Sequence, residues 1–287
     1  MDPKIQKRLI KVQRTELTEH LIYTRLAASC KDKNNADVLH KIGLEEKVHA
    51  RFWEKRSGVT AKPDMWRVFR TVWLARLLGL TFVLKLMEKR EGTGSKTYDH
   101  LAQYFPEAKQ FAKEETVHEQ KLLGLLDEEG LQYVGSVVLG LNDALVELTG
   151  ALAGFTLALS DTKVISLVGL VTGISAALSM AASDYLSSKA EGDDKAKKSA
   201  VYTGVAYIIT VIILILPYML LTNQFIALAI TLVAAVLIIF GFNFYIATAK
   251  DLNFKARFWE MTIISLGVAA LSFFVGYALK AILGVDM

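Results

Sequence analysis

Apolar residues are spaced in two ways along this chain. Up to about residue 130 they recur every three or four positions among charged residues. That is the spacing of helices with one buried face. From Leu131 onward the apolar runs are nearly unbroken. Five stretches, roughly 132–159, 164–188, 200–221, 225–248 and 258–283, reach the ~20 residues a helix needs to cross a bilayer. The breaks between them are short and polar: 160–163, 189–198, 222–224 and 250–257. The expected fold is all-α, with a helical bundle over 1–130 and a five-span membrane domain over 131–287.

In the first half, 4–57 reads as two amphipathic helices joined near Lys31–Asn35. A long helical region follows from about Met65 to Gln103. Pro106 opens a last helix, where its missing N–H does no harm. Gly130 is the break before the membrane. Four helices suffice for a bundle. The stretch Trp66–Met87 is unusually apolar, with Phe69, Val72, Trp73 and Leu77. It either lies against the membrane or packs on another subunit.

Composition agrees with this division. The chain is 53% hydrophobic, which is high for a soluble protein of 287 residues. Its net charge of +4 is too mild for nucleic-acid binding, and no basic groove motif is present. Cys30 is the one cysteine, so no internal disulfide can form. The polar N-terminus and the lack of an apolar run before residue 65 predict no cleavable signal peptide. Lys189, Lys195, Lys197 and Lys198 share one break, and Lys250, Lys255 and Arg257 another. Lys163 is the one basic residue in the other two. With five spans, this asymmetry predicts a cytoplasmic N-terminal domain and an outer C-terminus.

The chemistry of the first half lies in a repeat. Glu45-Glu46-Lys47-Val48-His49 returns as Glu114-Glu115-Thr116-Val117-His118. Residues three apart on a helix differ by ~60° around the axis and ~4.5 Å along it, so Glu and His can reach one site. Bundles that hold two metal ions take Glu-x-x-His from two helices and one Glu from each of the others. Glu16 lies upstream of the first motif, and Glu88 and Glu91 upstream of the second. One Glu-x-x-His would be an ordinary solvated helix face. Two, each with a Glu one helix earlier, predict a di-metal site of Glu16, Glu46, His49, Glu115 and His118, completed by Glu88 or, one turn later, Glu91. His20 is placed to support Glu16, while His40 and His100 read as surface residues.

Inside the spans, Asp143 and Glu147 are four apart, as are Met180 and Asp184. Residues at that spacing share a helix face. A carboxylate inside a bilayer costs about 2.5–3.5 kcal/mol and marks an ion path. Oxygen donors with one thioether suit Fe²⁺ or Mn²⁺ better than Mg²⁺. Titratable carboxylates in such a path allow metal movement to couple to protons. Gly150-x-x-x-Gly154 and Gly169-x-x-x-Gly173 fit close helix packing.

The segments Gly140-Leu-Asn-Asp143-Ala-Leu-Val-Glu147-Leu-Thr-Gly150 and Ala177-Leu-Ser-Met180-Ala-Ala-Ser-Asp184 resemble the vacuolar iron transporter family. That resemblance implies a dimer that exchanges Fe²⁺ or Mn²⁺ for protons and moves metal out of the cytosol. It implies that Asp143 and Met180 line the path. The family often has Glu near Asp184. Its plant members carry a Glu-rich insert between spans two and three, which here is only the short loop Lys189–Ala200.

Glu16 to about Leu126 resembles the erythrin branch of the ferritin-like superfamily, close to rubrerythrin. Glu16, Glu46, His49, Glu88, Glu91, Glu115 and His118 match its ligands, and the resemblance implies Glu19 as an extra one. The resemblance implies a four-helix ferritin-like bundle with a di-iron site, with Mn²⁺ or Zn²⁺ as other occupants. The Cys₄ iron site of full rubrerythrins is missing. The fusion of both halves resembles bacterial membrane-bound ferritins. It implies an integral protein of a prokaryotic cell membrane that exports iron and captures or senses it with the bundle. The alternative reading is a membrane-anchored ferroxidase or peroxide scavenger.

Overall fold

The computed structural model describes residues 2–91, 98, 101–123, 133–159 and 161–283, without the side chains of 88–91, 119, 123, 279–281 and 283. The chain forms two compact units, Met1–Glu128 and Glu129–Met287. Every secondary-structure element among the described residues of both is helical.

The first unit is organised by a helical hairpin, α1 (Pro3–Ser29) and α2 (Lys33–Ser57). Asp2 caps α1 by accepting from the Lys4 N–H, with Pro3 at the first helical position. Asp32 caps α2 in the same way through Asn35. Gly58 ends α2 with φ 69°, a left-handed turn that costs glycine least. The two helices approach closely at Gly43, where an added Cβ would lie 3.1 Å from Thr24 Oγ1. The connector to α3 (Met65–Leu78) is tied back to α1. Buried Gln13 accepts from the Ala61 N–H, and Thr18 Oγ1 accepts from the Asp64 N–H.

The expected single helix from Met65 is two helices, α3 and α4 (Leu80–Glu91). Gly79 separates them with φ 92° and ψ 159°, a conformation open to glycine and strained for other residues. α5 (Ala108–Leu123) packs on α2. Leu9, Val12, Trp53, Tyr98, Leu101, Ala108 and Phe111 form the core that joins α1, α2 and α5.

Among its described residues, the second unit holds five helices long and apolar enough to cross a membrane. They are α6 (Val134–Ala158), α7 (Thr162–Ala190), α8 (Ala196–Leu220), α9 (Gln224–Ala249) and α10 (Phe254–Leu283). The chain is an integral membrane protein. Small residues let backbones meet. A Cβ on Gly140 would lie 2.3 Å from the Thr203 carbonyl oxygen, and one on Gly276 would lie 2.7 Å from that of Gly154. The paired glycines of the sequence also sit at helix contacts, Gly154 against backbone and the other three against side chains. Gly150 and Gly154 face Ser272 of α10, and Gly169 and Gly173 face Leu152, Ile215 and Val211. The first half of α6 therefore packs on α8 and its second half on α10.

Candidate functional site

In the first unit, Glu16 of α1, Glu46 and His49 of α2 and Glu115 of α5 converge. One ligand atom from each lies within 4.8 Å of all the others. Glu16, Glu46 and His49 are at most 3% exposed. His49 Nδ1 faces Glu16 Oε2 at 3.7 Å, Glu46 Oε2 at 3.6 Å and Glu115 Oε1 at 3.5 Å. These separations are too long for hydrogen bonds. All four atoms are buried and make no hydrogen bond. Buried polar atoms without partners cost about 1–3 kcal/mol each, more when charged. Four of them aimed at one point fit a cation that would satisfy them together. Three carboxylates and an imidazole suit Fe²⁺, Mn²⁺ or Zn²⁺.

A second layer holds these groups in place. The His49 Nε2–H donates to Glu114 Oε2 at 2.7 Å. His118 donates from Nε2 to Glu45 Oε2 at 2.5 Å and from Nδ1 to Glu46 Oε1 at 3.0 Å. The first Glu of each motif thus serves the His of the other. Tyr98 donates its phenol proton to Glu16 Oε1. Carboxylates on the outer nitrogen of a ligand imidazole fix its tautomer and raise its basicity. Sequence reasoning passed over Glu45, Glu114 and Tyr98 as site residues. The doubled Glu in both motifs was the available signal for two of them.

Electrostatics follow from burial and crowding. Burial pushes the Glu16 carboxyl up to about 8, and the neighbouring Glu46 charge adds to it. Burial also raises Glu115. Burial opposes ionisation of Glu46, but the hydrogen bond from His118 and the nearby His49 imidazole outweigh it and hold Glu46 below the usual range. Burial likewise disfavours the His49 cation, yet Glu115, Glu16 and Glu46 together raise it. A bound metal would replace the Nδ1 proton as the positive centre.

The remaining candidates are placed as follows. Glu19 is buried and accepts from Arg67 at 2.9 Å, apart from the four-atom cluster. The side chains of Glu88 and Glu91 lie outside those described, as does His100. His20 donates from Nδ1 to the Gly43 carbonyl at 2.5 Å, bracing the α1–α2 hairpin. His40 is exposed.

In the membrane unit, Asp143 ends an α-helical segment, and Ala144–Leu148 form one π-helical turn that contains Glu147. Such turns within α-helices are often found at functional sites. The Leu145 carbonyl inside this turn accepts from Thr149 Oγ1 and from Ser265 Oγ of α10, the latter at 2.9 Å. Buried Tyr207 of α8 donates to Glu147 Oε2 at 2.8 Å. Asp143 lies within electrostatic reach of both. The structure thus joins Asp143, Glu147 and Tyr207, and Tyr207 was absent from the sequence-based set. Met180 is half-buried against the membrane core. Asp184 sits elsewhere in the hydrogen-bond network, accepting from Ser199 at 2.8 Å and Thr203 at 2.7 Å of α8.

These membrane residues fall within a recognisable segment. The VIT family model matches residues 134–197. The match spans α6, α7 and the loop to α8, and so takes in Asp143, Glu147, Met180 and Asp184. It supports a VIT-family membrane domain and points to a membrane transporter of divalent metal, iron or manganese. The VIT match does not extend to the first unit. No curated protein matches the chain.

Proposed function

We propose that the chain exports Fe²⁺ or Mn²⁺ from the cytosol in exchange for protons, and that its first unit is a ferritin-like domain that captures or senses the metal. The observation that carries the transport reading is the Asp143–Glu147–Tyr207 group at a π turn inside the VIT-matched segment. Paired carboxylates within a span can hold a divalent cation and exchange it for protons. Met180 supplies a thioether and Asp184 a carboxylate on α7 for the same path. The basic breaks after α7 and α9 favour a cytoplasmic first unit and a C-terminus outside, in a prokaryotic cell membrane. A homodimer is the expected assembly.

In the first unit, Glu16, Glu46, His49 and Glu115 would hold a metal, with His118, Glu88, Glu91 and Glu19 as further ligands for a second ion. A bound iron would supply Lewis acidity and one-electron chemistry. The protein's own part is to present desolvated carboxylates, to keep His49 oriented through Glu114, and to hold the Glu16 carboxylate through Tyr98. The enclosed carboxylate and imidazole set also favours a second reading, a ferroxidase or peroxide scavenger. Oxygen uptake by the full chain with Fe²⁺ separates the two.

The direct test is flux into proteoliposomes of Fe²⁺, Mn²⁺ and Zn²⁺ with an internal pH dye. Metal movement opposed by proton movement is expected, and Asp143→Asn should abolish it. Undiminished flux in that variant would remove Asp143 from the path. Glu46→Ala with Glu115→Ala tests the first unit. Retained maximal flux with lost metal dependence indicates sensing, and unchanged behaviour removes the unit from transport.

A further inference from the structure

Helix α3 leaves one face uncovered. Val68, Thr71 and Val72 are buried, and α3 packs on α1. On its other side Trp66, Phe69, Trp73 and Leu77 are each more than half exposed. Steps of three and four place these four on one stripe of the helix. Trp66 and Phe69 stack, with ring centres 6.0 Å apart. Large aromatic side chains left together in solvent mark a surface that meets something apolar.

The charge on this face has one sign. Met65–Leu78 contains Arg67, Arg70 and Arg76 and no acidic residue. Arg67 is engaged by Glu19. Arg70 and Arg76 are exposed, as is Arg25 of α1. No ion pair among the described residues involves any of these three. Arg25 and Arg76 flank a cavity of about 380 Å³ whose wall includes Phe69 and Trp73. Cations beside exposed aromatics match the acyl boundary of a lipid leaflet on one side and its phosphates on the other.

We propose that this face of α3, with Arg25, docks on the anionic surface of the bilayer that holds the chain's own spans. Amphipathic helices with Trp and Phe on one side and Arg beside them bind such surfaces, and electrostatic attraction adds to apolar burial. Tethering favours the contact, because the first span begins at Val134, shortly after the first unit ends at Glu128. A second copy of the chain fits less well. A two-fold contact sets a patch against itself, and here it would bring six arginines together without a counter-charge.

The test uses the full-length protein in lipid nanodiscs. In a Cys30→Ser background, a nitroxide is attached at Leu77→Cys, which keeps both tryptophans, or at Lys41→Cys on exposed α2. Collisions with oxygen and with a water-soluble nickel chelate are compared. In anionic nanodiscs the label at 77 should favour oxygen and exclude nickel, while the label at 41 favours nickel. Neutral lipid, or Arg25→Glu with Arg76→Glu, should raise nickel access at 77 by roughly fivefold or more. Equal nickel access at both positions in both lipids would overturn the proposal. So would an immobilised label at 77 with a short label-to-label distance that ignores lipid charge, since a second copy would then cover the face. Circular dichroism checks that these exposed substitutions leave the helices intact.

Discussion

Glu114 accepts the Nε2 proton of His49 at 2.7 Å, across the contact between α5 and α2. The bond leaves His49 Nδ1 facing Glu16, Glu46 and Glu115. His118 and Glu45 repeat the relationship from the other motif. If these bonds orient a metal ligand, removing the acceptor should loosen the site without removing a ligand. Glu114→Ala is therefore expected to weaken Mn²⁺ or Fe²⁺ binding by about 10–100-fold, the usual effect of losing such a partner. Competition with a calibrated chelator measures it. An unchanged affinity would mean that Glu114 only decorates the surface.

Metal should also stabilise the first unit. Four buried ligand atoms without partners oppose folding, and a cation that binds only the folded form offsets this. At a concentration near 100 Kd, opening of the unit should be suppressed about 100-fold, or ~2.7 kcal/mol. Limited proteolysis of the full chain in nanodiscs, with and without Mn²⁺, reads that factor. Glu46→Ala should erase the protection. Protection that survives the substitution would place the metal elsewhere.

Much of this site was legible because helix spacing is fixed. A step of three from Glu to His puts them on one face, so the two motifs announced themselves. The crossed pairing of Glu45 with His118 and Glu114 with His49 was not legible. It depends on how α2 and α5 face each other, which no local pattern encodes. The break at Gly79 was hidden for a different reason. Leu78-Gly79-Leu80 continues an apolar run, and a lone glycine inside a helix costs only about 1 kcal/mol. The five spans were plain from length and apolarity. The π turn at Ala144–Leu148 was not, since one widened turn leaves no mark on apolar spacing. Tyr207 was missed because a tyrosine in a span usually needs no explanation beyond packing.

Close packing in the membrane unit makes a sharp prediction at Gly140. A methyl group there would meet the Thr203 carbonyl oxygen at 2.3 Å, and backbone cannot swing aside as a side chain can. Gly140→Ala should force α6 from α8 and cost about 1–3 kcal/mol, the range for overpacking. Gly135→Ala is the control, because nothing lies within 4 Å of a Cβ at that position. Thermal unfolding in detergent, followed by size-exclusion, compares them. Equal stability of the two variants would contradict the close approach.

The last prediction concerns Tyr207, which donates to Glu147 at 2.8 Å from a fully buried position. A hydrogen bond to a charged group is worth about 1.5–3 kcal/mol. The phenol therefore decides where the Glu147 carboxylate points and how firmly it competes for a cation. Tyr207→Phe keeps the ring and its packing but removes the donor. Mn²⁺ flux in proteoliposomes should fall by roughly tenfold or more, the rate equivalent of that energy. The variant should unfold at nearly the wild-type temperature, since the buried volume is almost unchanged. Glu147→Gln should lower flux at least as far, because it removes the charge that Tyr207 steers. If Tyr207→Phe transports normally while Glu147→Gln does not, Glu147 acts without its tyrosine. If neither variant slows transport, the path runs through Asp143 without this pair.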